Sequence, residues 1–292
     1  MFNSFARLLL GLAAALALAG CAKPQDARPA LWLVEGPGGA KAWLFGTIHG
    51  LRDPVNWRSD TVAAALAQSD RLILEVADID NEAATAKAFA ELAQGGSHPP
   101  LIQRVPPAAA DDLAAELAQG RIVPGSLDRY DTWAAALMIA QAQASLDRQD
   151  SANGIDRALA ASYRGPIGEL EGARAQLAIF DALPEAQQRA LLGAVIEDEP
   201  AERRVRARAL EHAWAKGDME AIARVSDADT FGDPVLRDAL LVGRNRAWTV
   251  RLIALLGAKA RPFIAVGAAH MAGPDGLPAM LAAQGYTVTR LQ

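Results

Sequence analysis

Two short stretches near opposite ends of the chain decide its fold. Residues 41–50 read KAWLFGTIHG, and residues 263–270 read FIAVGAAH. In each, an apolar run typical of a buried strand leads into Gly-x-x-His, which places His49 and His270 just after the predicted strands. We expect the glycine of each motif to let the backbone turn sharply off the sheet. The chain has only four histidines in 292 residues, so this repeated arrangement predicts that the two motifs act together.

The segments around these motifs predict an α/β fold. Strands are predicted near the two ends and once in the middle, at 31–35, 42–45, 71–76, 165–171, 262–266 and 286–291. Apolar residues at helical spacing predict helices at 56–69, 81–93, 107–119, 132–148, 154–162, 184–195, 199–216, 218–225, 234–256 and 276–284. We expect a central mixed sheet formed by N- and C-terminal strands, with a large helical block packed around it. Separate β and α domains are the alternative.

Two acidic residues join the histidines as candidates for the site. Glu75 interrupts the apolar run RLILEV, where a carboxylate is costly to bury without a cation or hydrogen-bond donors. Its alternative is an exposed position on an edge strand. Glu171 ends the predicted strand 165–171, and its alternative is a surface acid near a turn.

Together these four residues predict a metal site. Catalytic groups and ligands in open α/β sheets lie beyond the carboxyl ends of the strands. Imidazoles and a carboxylate form a ligand set for Mn, Zn, Co or Fe, so His49, His270 and Glu75 are the predicted ligands. Glu75 is the next ligand or the general base, and Glu171 is the second choice for the other role. Arg246 is a candidate to hold an oxyanion or a substrate carboxylate, unless it makes a structural salt bridge.

The N-terminus predicts export and lipid attachment. Residues 1–20 contain an apolar stretch of signal-peptide length preceded by a single basic residue. They end in Leu-Ala-Gly before Cys21, the only cysteine of the chain, which predicts a bacterial lipobox. The alternatives are an ordinary secretory peptide and a short transmembrane anchor. Residues 21–29 are predicted to be a lipidated tether, and 30–292 the folded domain. A net charge of −5 offers no basic face for nucleic acid.

In order along the chain, these motifs resemble the TraB/PrgY/GumN family of the Tiki superfamily. The resemblance spans roughly residues 30–292. It rests on the opening hairpin and on Leu44 to His49, Leu74-Glu75, Gly154-Ile155-Asp156, Leu170-Glu171, Asn245-Arg246 and Val266 to Gly273. Met271 departs from the pattern, since leucine is more usual there.

The resemblance implies a divalent metal held by the two Gly-x-x-His motifs and nearby acids. It also implies several kinds of function. The Tiki branch is described as metalloproteases that clip N-terminal residues from secreted ligands, plasmid-encoded members restrain peptide pheromones, and GumN members accompany exopolysaccharide gene clusters. The expected function is a membrane-anchored, periplasm-facing metal-dependent hydrolase with a peptide or secreted protein as substrate. The alternative is a lipoprotein that binds a peptide or metal-containing ligand without catalysis.

The lipid anchor can be tested directly. Cys21→Ser removes the thiol that would be acylated, so we expect the variant to be released from the membrane or to accumulate as an unprocessed precursor. Mass spectrometry of the membrane fraction measures this. Wild-type protein without a lipid-dependent mass increase would contradict the prediction.

The residue after the cysteine bears on which membrane holds the lipid. Ala22 follows Cys21 where inner-membrane lipoproteins often have aspartate, which favours the outer membrane.

Overall fold

The computed structural model describes residues 24–197, 199–228 and 233–292. The predicted signal peptide and Cys21 lie outside these ranges. Within them, no helix is long and apolar enough to cross a bilayer.

A six-stranded mixed sheet forms the centre of the described structure. The described residues form eight strands: β1 (Gln25–Asp26), β2 (Leu31–Glu35), β3 (Lys41–Thr47), β4 (Val55–Asn56), β5 (Arg71–Leu74), β6 (Ile167–Glu169), β7 (Pro262–Gly267) and β8 (Thr287–Arg290). Strands β1 and β4 pair in a separate two-stranded sheet, and the other six form the central one. The order in the sheet is β6-β5-β7-β3-β2-β8. Strands β6, β5, β7 and β3 are parallel neighbours, whereas β2 pairs antiparallel with both β3 and β8. The sheet combines strands from both chain ends, as predicted, with one strand from the middle.

Helices cover both faces of the sheet. They are α1 (Asp60–Gln68), α2 (Glu82–Leu92), α3 (Ala110–Gln119), α4 (Thr132–Leu146), α5 (Ile155–Ser162), α6 (Ala173–Asp181), α7 (Glu185–Ile196), α8 (Pro200–Lys216), α9 (Met219–Ala228), α10 (Pro234–Arg237), α11 (Gly243–Gly257) and α12 (Leu277–Ala283). A π-helical segment, Asp238–Val242, joins α10 to α11. The α/β architecture predicted from the sequence is confirmed.

Alternating side chains of the central strands divide the core into two layers. Trp43 and Phe45 of β3 face a cluster that includes Trp214 of α8, while Leu44 faces a second cluster with Trp248 of α11. This alternation is the period of two that a strand imposes on its side chains. The middle helices α3, α4 and α7 share a third apolar cluster. The helical block therefore has a core of its own beside the sheet.

Several predicted boundaries differ from the observed ones. The helix predicted at 56–69 begins only at Asp60, because residues 55–56 form β4 and Ser59 caps the helix by accepting a hydrogen bond from the Val62 N–H. Helix α6 was not predicted. The helix predicted at 234–256 contains the π segment.

The segment predicted as a tether is packed against the domain from Gln25 onward. Strand β1 pairs in parallel with β4, and Ala27 is buried in the core. The Ala27 N–H also donates to the Asn56 carbonyl, at 3.0 Å. Residues 25–29 are thus part of the folded structure.

Candidate functional site

The four predicted site residues follow the carboxyl ends of four parallel strands. Strands β3, β7, β5 and β6 end side by side at one edge of the sheet. His49, His270, Glu75 and Glu171 follow β3, β7, β5 and β6, respectively. The pairing of β5 with β6 continues past the strand ends, since the Glu171 N–H donates to the Glu75 carbonyl at 3.1 Å. The four strands are thus parallel neighbours, and the residues that follow them lie at one edge of the sheet.

Glu75 lies one residue beyond its strand, not inside it. Strand β5 ends at Leu74, and the edge-strand alternative is wrong because β5 lies between β6 and β7. The Glu75 side chain is buried. Its Oε1 accepts from the Gly267 N–H at 2.7 Å, and its Oε2 accepts from Gln176 Nε2 at 3.0 Å and Arg244 Nη2 at 2.7 Å.

These donors keep Glu75 ionised. Burial alone would raise the pKa of its carboxyl. The imidazoles of His270 and His49, the Arg244 guanidinium and the Gly267 N–H outweigh that effect and lower the pKa to about 2.

Arg244 connects both carboxylates of the site. Its Nε donates to both oxygens of Glu171, at 3.0 and 3.2 Å, and its Nη2 donates to Glu171 Oε2 at 3.0 Å as well as to Glu75. Trp248 completes the pocket: its Nε1 donates to Glu171 Oε1 at 3.0 Å, and its ring lies 4.7 Å from the Arg244 Cζ. Burial disfavours the guanidinium charge, but the hydrogen bonds and charges of both glutamates raise the pKa of Arg244.

Arg246, the arginine predicted from the sequence, lies elsewhere. Its side chain is exposed and its Nη1 bonds Asp238 Oδ1 at 2.9 Å, so it makes the structural salt bridge of the alternative. The reason is helical geometry. Residues two apart on a helix point to nearly opposite sides, and in α11 it is Arg244 that faces the strand ends.

His49 is held by a buried carboxylate that was not among the predicted site residues. Its Nδ1 lies 2.8 Å from Asp156 Oδ2, and the other oxygen of Asp156 accepts from the Thr47 hydroxyl at 2.6 Å. Asp156 is 4% exposed, whereas the His49 side chain is 64% exposed. With Nδ1 donating to Asp156, Nε2 is the nitrogen left to contact other groups.

The charge of Asp156 raises the pKa of His49 well above its ordinary value. A glycine makes this arrangement possible. A Cβ at Gly154 would collide with the His49 carbonyl, so the start of α5 can approach the His49 loop only without one. The Ile155 N–H donates to the Ile48 carbonyl at 3.0 Å and fixes the contact.

His270 is buried and neutral. Its Nδ1 lies 2.7 Å from Asn245 Oδ1, and its ring centroid lies 4.5 Å from that of Trp248. Burial lowers the pKa of His270 to about 3. The Nδ1–H therefore donates a hydrogen bond to Asn245 Oδ1, and Nε2 accepts one from Arg244 Nη1 at 3.1 Å.

The glycines of the two motifs lie where a side chain would be crowded. Gly267 has φ −48° and ψ 135°, which any residue can adopt. A Cβ there would lie 3.3 Å from His49 Nε2 and 3.4 Å from Glu75 Oε1. A Cβ at Gly46 would lie 3.2 Å from that of Ala268. The chain leaves the sheet at Gly267, where a 3-10 helix, Ala268–Met271, follows β7, but it does so without a left-handed backbone. The missing side chain of Gly267 leaves a small space that His49 and Glu75 share.

A groove of about 540 Å³ opens beside this space. It runs between α2 and α6, and its lining includes Val76 and Glu171. Five of its twelve lining residues are alanines of the two helices, and Asp78, Glu169, Glu171 and Arg174 contribute charged groups. A substrate side chain next to the Glu75–Glu171 pair could lie here.

Metal binding depends on which donor atoms of the predicted ligands are free in this arrangement. Among the described residues, no three His, Cys, Asp or Glu side chains are grouped so that they could hold a metal ion. The donor chemistry explains why. The Nε2 of His270 and the Oε2 of Glu75 already accept hydrogen bonds from the Arg244 guanidinium, which leaves His49 Nε2 and Glu75 Oε1 facing the shared space. No step of the chemistry below uses a metal, and metal binding through His49, His270 and Glu75 stays a prediction.

Three of the residues that organise the site, Arg244, Trp248 and Asp156, were missed by the sequence reasoning. Arg244 and Trp248 are separated by four positions on α11, with Asn245 next to Arg244, and such a spacing places side chains on one helix face. This helical spacing could have identified Arg244, instead of Arg246, as the arginine of the site. Asp156 gave a weaker signal, an acid in the first turn of a short amphipathic helix.

The contact between Asp156 and His49 predicts a measurable titration. In Asp156→Asn the negative charge is lost, so the pKa of His49 should fall by about one unit or more, toward the ordinary histidine value. The stabilisation from this pair should be full below that ordinary value and disappear as the pH rises through the raised pKa. NMR of the His49 ring as a function of pH measures the shift, with His212 as an exposed internal control. Identical His49 titrations in both proteins would contradict the assignment.

Comparisons with known proteins agree with the motif order. The TraB/PrgY/gumN family matches residues 30–290. The protein named "Uncharacterized protein YbaP" of Shigella flexneri is 29% identical over 253 residues, which cover 84% of this chain and 89% of that protein. No solved structure matches the chain. Because the family match extends over most of the chain, this protein belongs to the TraB/PrgY/gumN family.

Proposed function

We propose that the chain is a hydrolase in which the His49–Asp156 pair transfers the proton. One observation carries the proposal: a solvent-exposed imidazole is held at Nδ1 by a buried carboxylate, with Nε2 beside an ionised glutamate. A histidine oriented in this way by an acid is a common proton-transfer group in enzymes.

The chemistry follows from the positions of the atoms. In the molecules whose His49 is neutral, a fraction that grows as the pH rises toward the raised pKa of about 9, a water molecule in the space over Gly267 would give a proton to His49 Nε2 as its oxygen attacks the carbonyl carbon of the substrate. Asp156 stabilises the imidazolium that forms. The imidazolium then returns the proton to the leaving amine or alcohol as the bond to the carbonyl carbon breaks. The products are a carboxylic acid and the leaving group, and His49 is neutral again.

The other residues of the site have supporting roles. The low pKa of Glu75 makes its carboxylate a weak base, so we assign proton transfer to His49 and water orientation to Glu75 Oε1. All the N–H groups of Arg244 are directed at protein acceptors, which makes it a positioning residue and not an oxyanion donor. Glu171 acts through Arg244.

The substrate and location in this proposal come from the sequence. The family resemblance supports a peptide or secreted protein as substrate, and the lipobox at Cys21 supports attachment to the envelope facing the periplasm. The groove between α2 and α6 supports the binding of a substrate segment next to Glu171.

Replacing His49 by glutamine tests the function. His49→Gln keeps a polar side chain but cannot exchange the proton, so hydrolysis should fall by roughly 100-fold to 10,000-fold. The assay uses wild-type protein and a library of fluorogenic peptides, with a chromogenic ester as a second substrate. The control is His212→Gln, which alters an exposed histidine of α8 and should leave the rate unchanged.

Equal rates in wild type and His49→Gln would contradict the proposal. A wild type that binds peptides of the library but hydrolyses none would instead favour the non-catalytic binding protein.

A further inference from the structure

The Arg244 guanidinium is enclosed by acceptors. Its five N–H groups meet Glu171, Glu75, the Leu240 carbonyl and His270 Nε2, at distances of 2.7 to 3.2 Å. The face of the guanidinium lies against Trp248. The side chain is only 12% exposed.

The side chains that accept hydrogen bonds from Arg244 are of the kinds that commonly bind a divalent cation. The buried carboxylate of Glu75, the partly buried carboxylate of Glu171 and the unprotonated nitrogen of a neutral imidazole form a ligand set suited to Mn²⁺ or Zn²⁺. Each of these groups is supported by a second contact: Gln176 bonds Glu75, Trp248 bonds Glu171, and Asn245 bonds His270. Such supporting bonds are typical of metal ligands.

A metal ion and Arg244 cannot use these atoms together. The guanidinium takes Glu75 Oε2 and His270 Nε2, so an ion bound there would have to displace both hydrogen bonds. It would also place two like charges side by side in a buried site. Because Arg244 is part of the chain, its charge is present at every metal concentration.

We propose that Arg244 is the resident cation of this site and that it keeps divalent metals out. The carboxylates and His270 are held in place by Arg244, and the metal-free chain is the working form. This inference rests on the site geometry and does not require that the chain be a hydrolase.

Metal binding by an arginine variant tests the inference. Arg244→Met keeps an unbranched stem against Trp248 but removes the charge, which leaves two carboxylates and an imidazole without their cation. After incubation with excess Mn²⁺ or Zn²⁺ and gel filtration, elemental analysis should find about one metal ion per chain in this variant. Wild type and the matched control Arg246→Met should each hold less than about a tenth of that. The metal should also raise the melting temperature of Arg244→Met alone, and EDTA should reverse the effect.

Two results would overturn the inference. The first is that wild-type protein retains a metal ion and that the His270→Ala variant does not. This comparison does not depend on how any arginine variant folds. The other is folded Arg244→Met that binds no more metal than wild type. If Arg244→Met does not fold, Arg244→Lys replaces it. The lysine keeps the charge with fewer donors, so its metal content should lie above that of wild type.

Discussion

Two carboxylates at neighbouring strand ends, that of Glu75 buried and that of Glu171 partly buried, repel each other unless a cation lies between them, and Arg244 supplies this cation. Glu75 follows β5 and Glu171 follows β6, so their proximity results from the parallel pairing of these strands. Removing one partner of a buried ion pair generally costs about 3–5 kcal/mol, because the remaining charge stays buried and unpaired. Arg244 thus fixes α11 against the edge of the sheet. Through Nη1 it also holds the ring of His270.

This constraint separates the two histidines into different roles. His270 lies inside the ion cluster, buried and neutral, where its hydrogen bonds connect α11 to the end of β7. His49 lies at the border of the cluster, paired with Asp156 and open to solvent. Two Gly-x-x-His motifs of the same form therefore lead to one buried, neutral imidazole and one exposed imidazole paired with a carboxylate. The difference arises from the neighbours that each ring meets.

Much of the framework could be read from the sequence, since it depends on local patterns. Apolar runs located β3, β5 and β7, and the two Gly-x-x-His motifs indicated which strand ends would meet. The partners of those residues depend on which helix face packs on the sheet. That is why Arg246 was predicted where Arg244 lies.

The roles of other site residues also depend on contacts that sequence patterns do not record. Asp156 approaches His49 because Gly154 has no side chain at the point of contact. Gly267 was taken as a turn residue, although its backbone is extended and its missing side chain provides the space. Such roles follow from distances between segments far apart in the chain, which local periodicity does not specify.

The central claim is that Arg244 and not a metal ion holds Glu75, Glu171 and His270 together. Anomalous diffraction from crystals of wild-type protein grown with excess Mn²⁺ tests it most directly, because the signal locates the ion itself. We predict no anomalous peak at the strand ends and a guanidinium still bonded to both glutamates and to His270. A manganese peak among His49, Glu75 and His270, with Arg244 displaced, would contradict the account.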